Sequence, residues 1–420
     1  MKLAVIGGGS TYTPELVDGI ARLTGDIKIT ELVLVDPDAS RLSVVGPFST
    51  RIMARYGHPA TVSWTSDLDS AVAGAGAVLL QLRVGGQATR HRDETWPLEY
   101  CCIGQETTGA GGFAKALRTV PVVLDVAERV RQLAAPNAWI IDFTNPVGIV
   151  TRALLDAGHR AVGLCNVAIG YQRMAAAMLG VQPEAVTLDH VGLNHLTWER
   201  QVLVDGADKL PGLIATRGEE IAAHTGLPLA VTTTYGAVPS YYLRYYWAHD
   251  EVVEEEQGKQ TRAQAVAEIE RQLLEMYADP ALDTKPELLT HRGGAFYSEA
   301  AVALLVSLLT DARDRQVVNV RNDGTLPFLS DESVIEVSAT VGAGGAEPVP
   351  VAPVDPLMSG LIAHMSAYEE LAVDAAVRGG RGRVAKALLA HPLVGQYHLA
   401  EKLTDRLLAE NSTFLPWANR

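Results

Sequence analysis

The opening of the chain constrains it most. A short apolar run at residues 3–6 leads directly into Gly7-Gly8-Gly9-Ser10, and Thr13-Pro14-Glu15 follows. Thr13 is a capping candidate, Pro14 suits the first helical position, and Glu15 sets an acid in the first turn. Leu16, Val17, Ile20 and Leu23 then recur at helical spacing, and a second apolar strand at 32–35 ends in Asp36. The pattern continues with apolar strands at 77–82 and 139–143, a helix over 114–133 between them, and a strand at 161–164. Near-continuous apolar strands alternating with helices predict a parallel sheet covered on both faces.

Beyond residue 165 the pattern changes. Residues 186–204 alternate as antiparallel strands do and run into the turn Asp205-Gly206. Helices are predicted over 262–277, 300–308 and 361–377, with strands over 317–341 around Asn322-Asp323-Gly324. The Gly- and Pro-rich stretch 342–354 reads as a loop or an extended edge.

At 420 residues and 48% hydrophobic, the chain has ample material for a core. Its net charge of −14 argues against a partner made of nucleic acid or an anionic membrane. The longest apolar run, around 300–309, is short of the roughly 18–20 residues needed to span a bilayer. Three cysteines, Cys101, Cys102 and Cys165, form no disulfide framework, which suits a reducing, cytoplasmic compartment, and the first residues do not read as a secretion signal.

Strand, glycine turn, helix, and an acid at the end of the next strand is the arrangement that holds a dinucleotide. The glycines admit the pyrophosphate, and free N–H groups at the helix start accept its charge. Gly7, Gly9, Ser10 and Thr11 are the candidate contacts, and Asp36 would accept the ribose hydroxyls, favouring NAD over NADP. Tyr12 stands where a third glycine is usual. The same turn can also be purely structural.

Further strings occur in order: Arg83-Val84-Gly85-Gly86 with Arg90; Ile103-Gly104-Gln105-Glu106-Thr107 before Gly109-Ala110-Gly111-Gly112; Asp142-Phe143-Thr144-Asn145-Pro146; Gly163-Leu164-Cys165-Asn166; and Gly192-Leu193-Asn194-His195. With the opening, this set resembles glycoside hydrolase family 4, the NAD- and metal-dependent glycosidases, and its 6-phospho-β-glucosidase branch in particular. The resemblance implies a lactate/malate dehydrogenase-like α/β fold. Residues 1–165 would form a Rossmann-type dinucleotide-binding domain, and 166–420 an α+β domain for substrate, metal and oligomerisation. It also implies hydrolysis without net redox change. The C3 hydroxyl of the sugar is oxidised at the expense of NAD+, the acidified C2 proton is removed, and the aglycone is eliminated. Water then adds, and the hydride returns to C3.

Position by position, the resemblance makes Cys165 and His195 metal ligands, with Mn2+ the family's usual ion, although a thiolate by residue type alone suits zinc or iron. Tyr242 matches the base for the C2 proton, with Tyr241 the rival in register and Arg244 a cation that could lower its pKa. Arg90, Asn145 and Arg262 match substrate-contacting positions. Asn166 stands where the α-glycoside branch commonly has an aspartic acid, which points to a β-linkage because an amide cannot act as the acid. The GQETTGAGG segment is expected against the nicotinamide or the sugar, its glycines permitting close approach. The resemblance further implies a phosphorylated sugar as partner and a homodimer or homotetramer. Rival readings are an enzyme of this family for another glycoside (an α-glucoside, an α-galactoside or an unphosphorylated sugar), an NAD-dependent dehydrogenase, and a non-catalytic sensor of sugar phosphates. A 2-hydroxy acid dehydrogenase would need no metal pair, and a sensor would need no base.

Overall fold

A computed structural model describes all residues except Thr24, Asp26, Ala295 and Arg420, together with the Asn419 side chain. Among the described residues six strands run parallel: β1 (Lys2–Ile6), β2 (Glu31–Val35), β3 (Thr61–Thr65), β4 (Ala75–Leu80), β5 (Trp139–Asp142) and β6 (Ala161–Gly163). Their spatial order is 3-2-1-4-5-6, the doubly wound arrangement whose chain reversal lies between β1 and β4. The expected parallel sheet is present. β3 was not foreseen; its side chains are mostly half-exposed and leave little apolar signal.

The antiparallel strands extend the same sheet. They are β7 (Val186–Leu193), β8 (Leu196–Val204), β9 (Ala207–Asp208), β10 (Val238–Pro239), β11 (Asp314–Arg321), β12 (Val334–Gly342) and β13 (Gly345–Pro348). From β6 the order continues β11, β12, β7, β8 and β10, with β13 paired to β12 and β9 to β8. The 342–354 stretch thus begins as an edge strand, one of the two expected forms. One hydrophobic core runs under both halves, and the Pro356–Arg378 helix packs on the Gly109–Leu133 and Val147–Asp156 helices. Among the described residues no helix is long and apolar enough to cross a membrane.

Local readings hold with three corrections. Thr13 does not cap the first helix: it is the first residue of Thr13–Ala21, and its hydroxyl accepts a hydrogen bond from Gln81 Nε2 at 2.7 Å. The helix expected from 114 starts at Gly109, because the glycines that masked the periodicity form its first turn. Those glycines admit protein backbone, with no ligand needed to explain them. A Cβ at Gly111 would strike the Asp93 and Gln105 carbonyls, and one at Gly112 the Thr107 backbone. The 262–277 helix has the bounds expected, with a Thr261–Gln264 capping box.

A buried ion pair ties the C-terminus to this core. Arg118 Nη1 donates to Asp93 Oδ1 at 3.1 Å and to Asn411 Oδ1 at 2.9 Å, joining the Gly86–Thr95, Gly109–Leu133 and Tyr397–Asn411 helices. Asp93→Ala strands the guanidinium without its counter-charge, and denaturant unfolding should show a loss of about 3–5 kcal/mol.

Candidate active site

A cleft of about 890 Å³ opens where β1, β2, β4, β5 and β6 end. This is where an open α/β sheet binds ligands, since the loops diverge at the strand reversal. Gly7 turns the chain out of β1 at φ +86°, and a Cβ there would lie 2.6 Å from the Gln81 carbonyl oxygen. The Gly7 and Gly8 amides both donate to the Val35 carbonyl at 2.8 Å. Asp36 Oδ2 accepts from Gly9 N at 3.1 Å, and Oδ1 accepts from Asp38 N at 2.9 Å. Burial raises the Asp36 carboxyl against these bonds.

Of the residues assigned to the dinucleotide, Gly7, Ser10 and Asp36 are on the cleft wall, whereas Gly9 and Thr11 are not among its lining. Thr11 is fully buried and accepts from Arg292 Nε at 2.7 Å. Tyr12, in the place of the third glycine, donates from its hydroxyl to the Gly294 carbonyl at 2.8 Å.

The other candidates converge on the same cleft. After β5, Asp142 Oδ1 accepts from Thr144 N at 2.9 Å, and the Thr144 hydroxyl accepts from Leu82 N at 3.0 Å. This turn carries Asn145 to the wall through a cis Asn145–Pro146 bond, and Asn145 Oδ1 is buried with no hydrogen-bond partner among the described residues. Burial pushes the Asp142 carboxyl up to about 8. Asn166 lines the cleft at the start of the Val167–Leu179 helix. Arg262 also lines it, with Nη2 donating to the His291 carbonyl at 2.9 Å.

Arg90 belongs to a buried ionic cluster that motif reading only grazed. Glu106 pairs with Arg83, with Arg90 at 3.2 Å and with Lys115 at 2.8 Å, while Arg90 Nε also reaches Glu94 at 2.7 Å. The three cations outweigh burial and hold Glu106 well below the usual carboxylate range. Burial, assisted by the two arginines, brings Lys115 down to about 7 against the pull of Glu106. Glu106 stands in the motif Ile103-Gly104-Gln105-Glu106-Thr107, whereas Lys115 is hidden inside an apolar helical pattern.

Tyr242 and His195 stack face to face, centroids 3.7 Å apart and 3° from parallel, and both line the cleft. Tyr241 does not share this position. It is 40% exposed, and its hydroxyl accepts from Arg244 Nη1 at 2.5 Å. Arg244 thus serves Tyr241 and Glu255, and the expected help to Tyr242 is absent. Burial raises the Tyr242 phenol well above 10, so it is neutral as it stands. Burial also lowers His195 to about 4, leaving a neutral imidazole, the form that can ligate a metal.

Cys165 is buried, hydrogen-bonded to Asn194 and Tyr297, and pushed up by burial. Among the described residues no three His, Cys, Asp or Glu side chains form a cluster that could hold a metal. Cys165, unlike His195, is not among the lining of the cleft; it is tied to His195 through Asn194, the neighbour of His195 that bonds it, and the two would give a two-donor set. Such a set fits a divalent ion whose other positions are filled by substrate oxygens and water, and the orphaned Asn145 Oδ1 shows the same cleft short of a polar partner.

Behind these residues lies a polar network. His190 Nδ1 meets Glu199 Oε1 at 2.7 Å and Nε2 meets Glu336 Oε1 at 3.1 Å, while Asn194 and Asn319 each donate to Glu336 Oε2 at 2.8 Å. Burial opposes the charge on His190, but Glu199 and then Glu336 raise it to about 10.

Two adjoining family models match: family 4 glycosyl hydrolase over residues 2–181 and the family 4 C-terminal domain over 190–394. The chain is 37% identical over 431 residues to a probable 6-phospho-β-glucosidase of Bacillus subtilis, covering 99% of this chain and 97% of that protein. The structure of the Thermotoga maritima 6-phospho-β-glucosidase with manganese, NAD+ and glucose-6-phosphate superimposes with a TM-score of 0.93 at 34% identity, covering 99% of both chains. Malate dehydrogenase from Salinibacter ruber, at 18% identity, covers 90% of this chain and 98% of its own, and its TM-score of 0.56 bears out the dehydrogenase-like fold alone. This chain belongs to glycoside hydrolase family 4.

His190 gives a pH signature. Its folded value of about 10 lies above its ordinary 6.5, so its contribution to stability is fully present below pH 6.5 and is lost as pH rises through about 10. Unfolding free energies measured across that range should fall, and His190→Gln should lack this component of the fall.

Proposed function

We propose that the protein hydrolyses 6-phospho-β-D-glucosides, cellobiose 6-phosphate among them, to glucose 6-phosphate, using NAD+ and a divalent metal, Mn2+ in the first instance. The observation that carries this reading is the stacked His195–Tyr242 pair in the cleft that also contains Asp36. Bound NAD+ supplies a hydride acceptor, and a bound divalent ion stabilises negative charge on sugar oxygens as a Lewis acid.

The chain's own groups do the rest. Asp36 accepts the ribose hydroxyls of the dinucleotide, with Gly7, Gly9, Ser10 and Thr11 forming the turn beneath it. Cys165, as the thiolate, and His195 would hold the metal. Tyr242, once ionised, would take the C2 proton of a sugar oxidised at C3, so that the C1–O bond breaks and the aglycone leaves as an alkoxide protonated by solvent. Water addition at C1, reprotonation at C2 and return of the hydride to C3 would complete a hydrolysis without net redox change. Arg90 and Arg262 hold the substrate, their planar forks matched to phosphate oxygens. Asn145 and Asn166 offer amides to the sugar. Asn166 cannot protonate the leaving group, which favours the β-glucoside reading over the α.

The division at 165 follows the same logic. Residues 1–165 carry the dinucleotide on the parallel strands, and 166–420 supply His195, Tyr242 and Arg262. A cytoplasmic setting is supported by three free cysteines among the described residues, Cys101 being exposed. A homodimer or homotetramer is supported by apolar side chains left exposed on the C-terminal helices, with Val377 53% and Tyr397 62% accessible.

Turnover of nitrophenyl β-glucoside 6-phosphate should require both NAD+ and Mn2+. Tyr242→Phe should lower kcat by about 10²–10⁴ with NAD+ affinity intact. Turnover of the α-anomer or the unphosphorylated sugar instead would keep the family and move the substrate. Accumulation of NADH in step with sugar would identify a dehydrogenase.

A further inference from the structure

His195 stands on a demanding piece of backbone. β7 and β8 pair through Leu193 and Leu196, so Asn194-His195 is a two-residue hairpin turn. Such turns need positive φ, and His195 adopts φ +68°, where a non-glycine residue is strained by about 1–3 kcal/mol. Surrounding contacts must hold the imidazole there. One is Ser240, whose hydroxyl donates to the His195 carbonyl at 2.6 Å. The other is the Asn194 side chain, which donates to Glu336 Oε2 at 2.8 Å and is also hydrogen-bonded to Cys165. One amide therefore ties the turn and the thiol to a single carboxylate.

That carboxylate has no packing reason to be where it is. Glu336 lies within β12, flanked by Ile335 and Val337, and is 1% exposed. A buried carboxylate is costly unless its oxygens are satisfied, and here His190, Asn194 and Asn319 satisfy both. Glu336 is not on the cleft wall, and its two oxygens are already taken by His190, Asn194 and Asn319. Cys165 and His195 both feel the Glu336 carboxylate, a sign of charge that suits a divalent cation.

We propose that Glu336, acting through Asn194, is the positioning residue for the Cys165–His195 pair, fixing the geometry with which these two side chains take a divalent ion. The inference rests on the metal reading above and adds to it a residue from the distant part of the chain. Asn319 supplies an internal control: it donates to the same carboxylate from β11, and Asn319→Ala keeps the Cβ that faces Gly163, so only the bond to Glu336 is lost and the hairpin tip is untouched.

The test is Mn2+ affinity of the full chain with NAD+ present, measured by equilibrium dialysis and by the Mn2+ paramagnetic resonance signal, with NAD+ affinity and thermal melting recorded alongside. Asn194→Ala and Glu336→Gln should each raise the Mn2+ Kd by about 10–100-fold while NAD+ affinity holds, and Asn319→Ala should shift it by less than about threefold whatever it does to melting. Wild-type protein that binds no Mn2+ would overturn the metal reading and this inference together. Wild-type binding with Asn194→Ala unchanged, or with Asn194→Ala and Asn319→Ala weakened alike, would overturn the inference alone. If Glu336→Gln fails to fold, the two asparagine variants decide the matter, because both keep the carboxylate.

Discussion

β6 and β11 share a single pairing, Gly163 opposite Asn319, and through it the antiparallel strands become continuous with the parallel ones. The contact is close: a Cβ on Gly163 would lie 2.8 Å from the Asn319 Cβ and would strike the Thr151 hydroxyl. Because the junction is tight, the β7–β8 hairpin is carried across the edge where the parallel strands end. Residues more than a hundred positions apart, Asp36 and Tyr242 among them, then face one cleft. A sheet interrupted here would leave the glycine turn and the stacked aromatic pair as unrelated features.

The electrostatics of the cleft follow from its dryness. Burial keeps His195 neutral and Tyr242 protonated, and raises the Cys165 thiol. These three groups are thereby held in uncharged forms. A metal cation that removes the thiol proton and lowers the phenol's pKa would convert the cluster from resting to reactive. The Glu106 cluster works the other way, its carboxylate already charged and held by three cations of the protein. It gives Arg90 a fixed orientation before any ligand enters.

Much of this was legible in the sequence because period and punctuation are local. The first two strands, the glycine turn and the 262–277 helix are set by neighbours, and the structure returns them nearly as read. Thr13 misled because a threonine before a proline looks like a cap, whereas tertiary contact with Gln81 claims its hydroxyl. The Gly109 start was obscured because those glycines are chosen by backbone from Asp93, Gln105 and Thr107. Tyr241 and Tyr242 could not be separated by composition, and only the hairpin tip decides which ring meets His195. Glu336 left no signal: one acid in an apolar strand is silent until its partners at 190, 194 and 319 are folded around it.

The central claim is that Tyr242 removes a proton from C2 of a phosphorylated sugar. Turnover of the β-glucoside 6-phosphate in D2O, followed by mass and NMR analysis of the recovered glucose 6-phosphate, tests it most directly. The account predicts deuterium at C2, and no labelled product when NAD+ is omitted. Cleavage that leaves C2 unlabelled would contradict it, since direct displacement at C1 never breaks that bond.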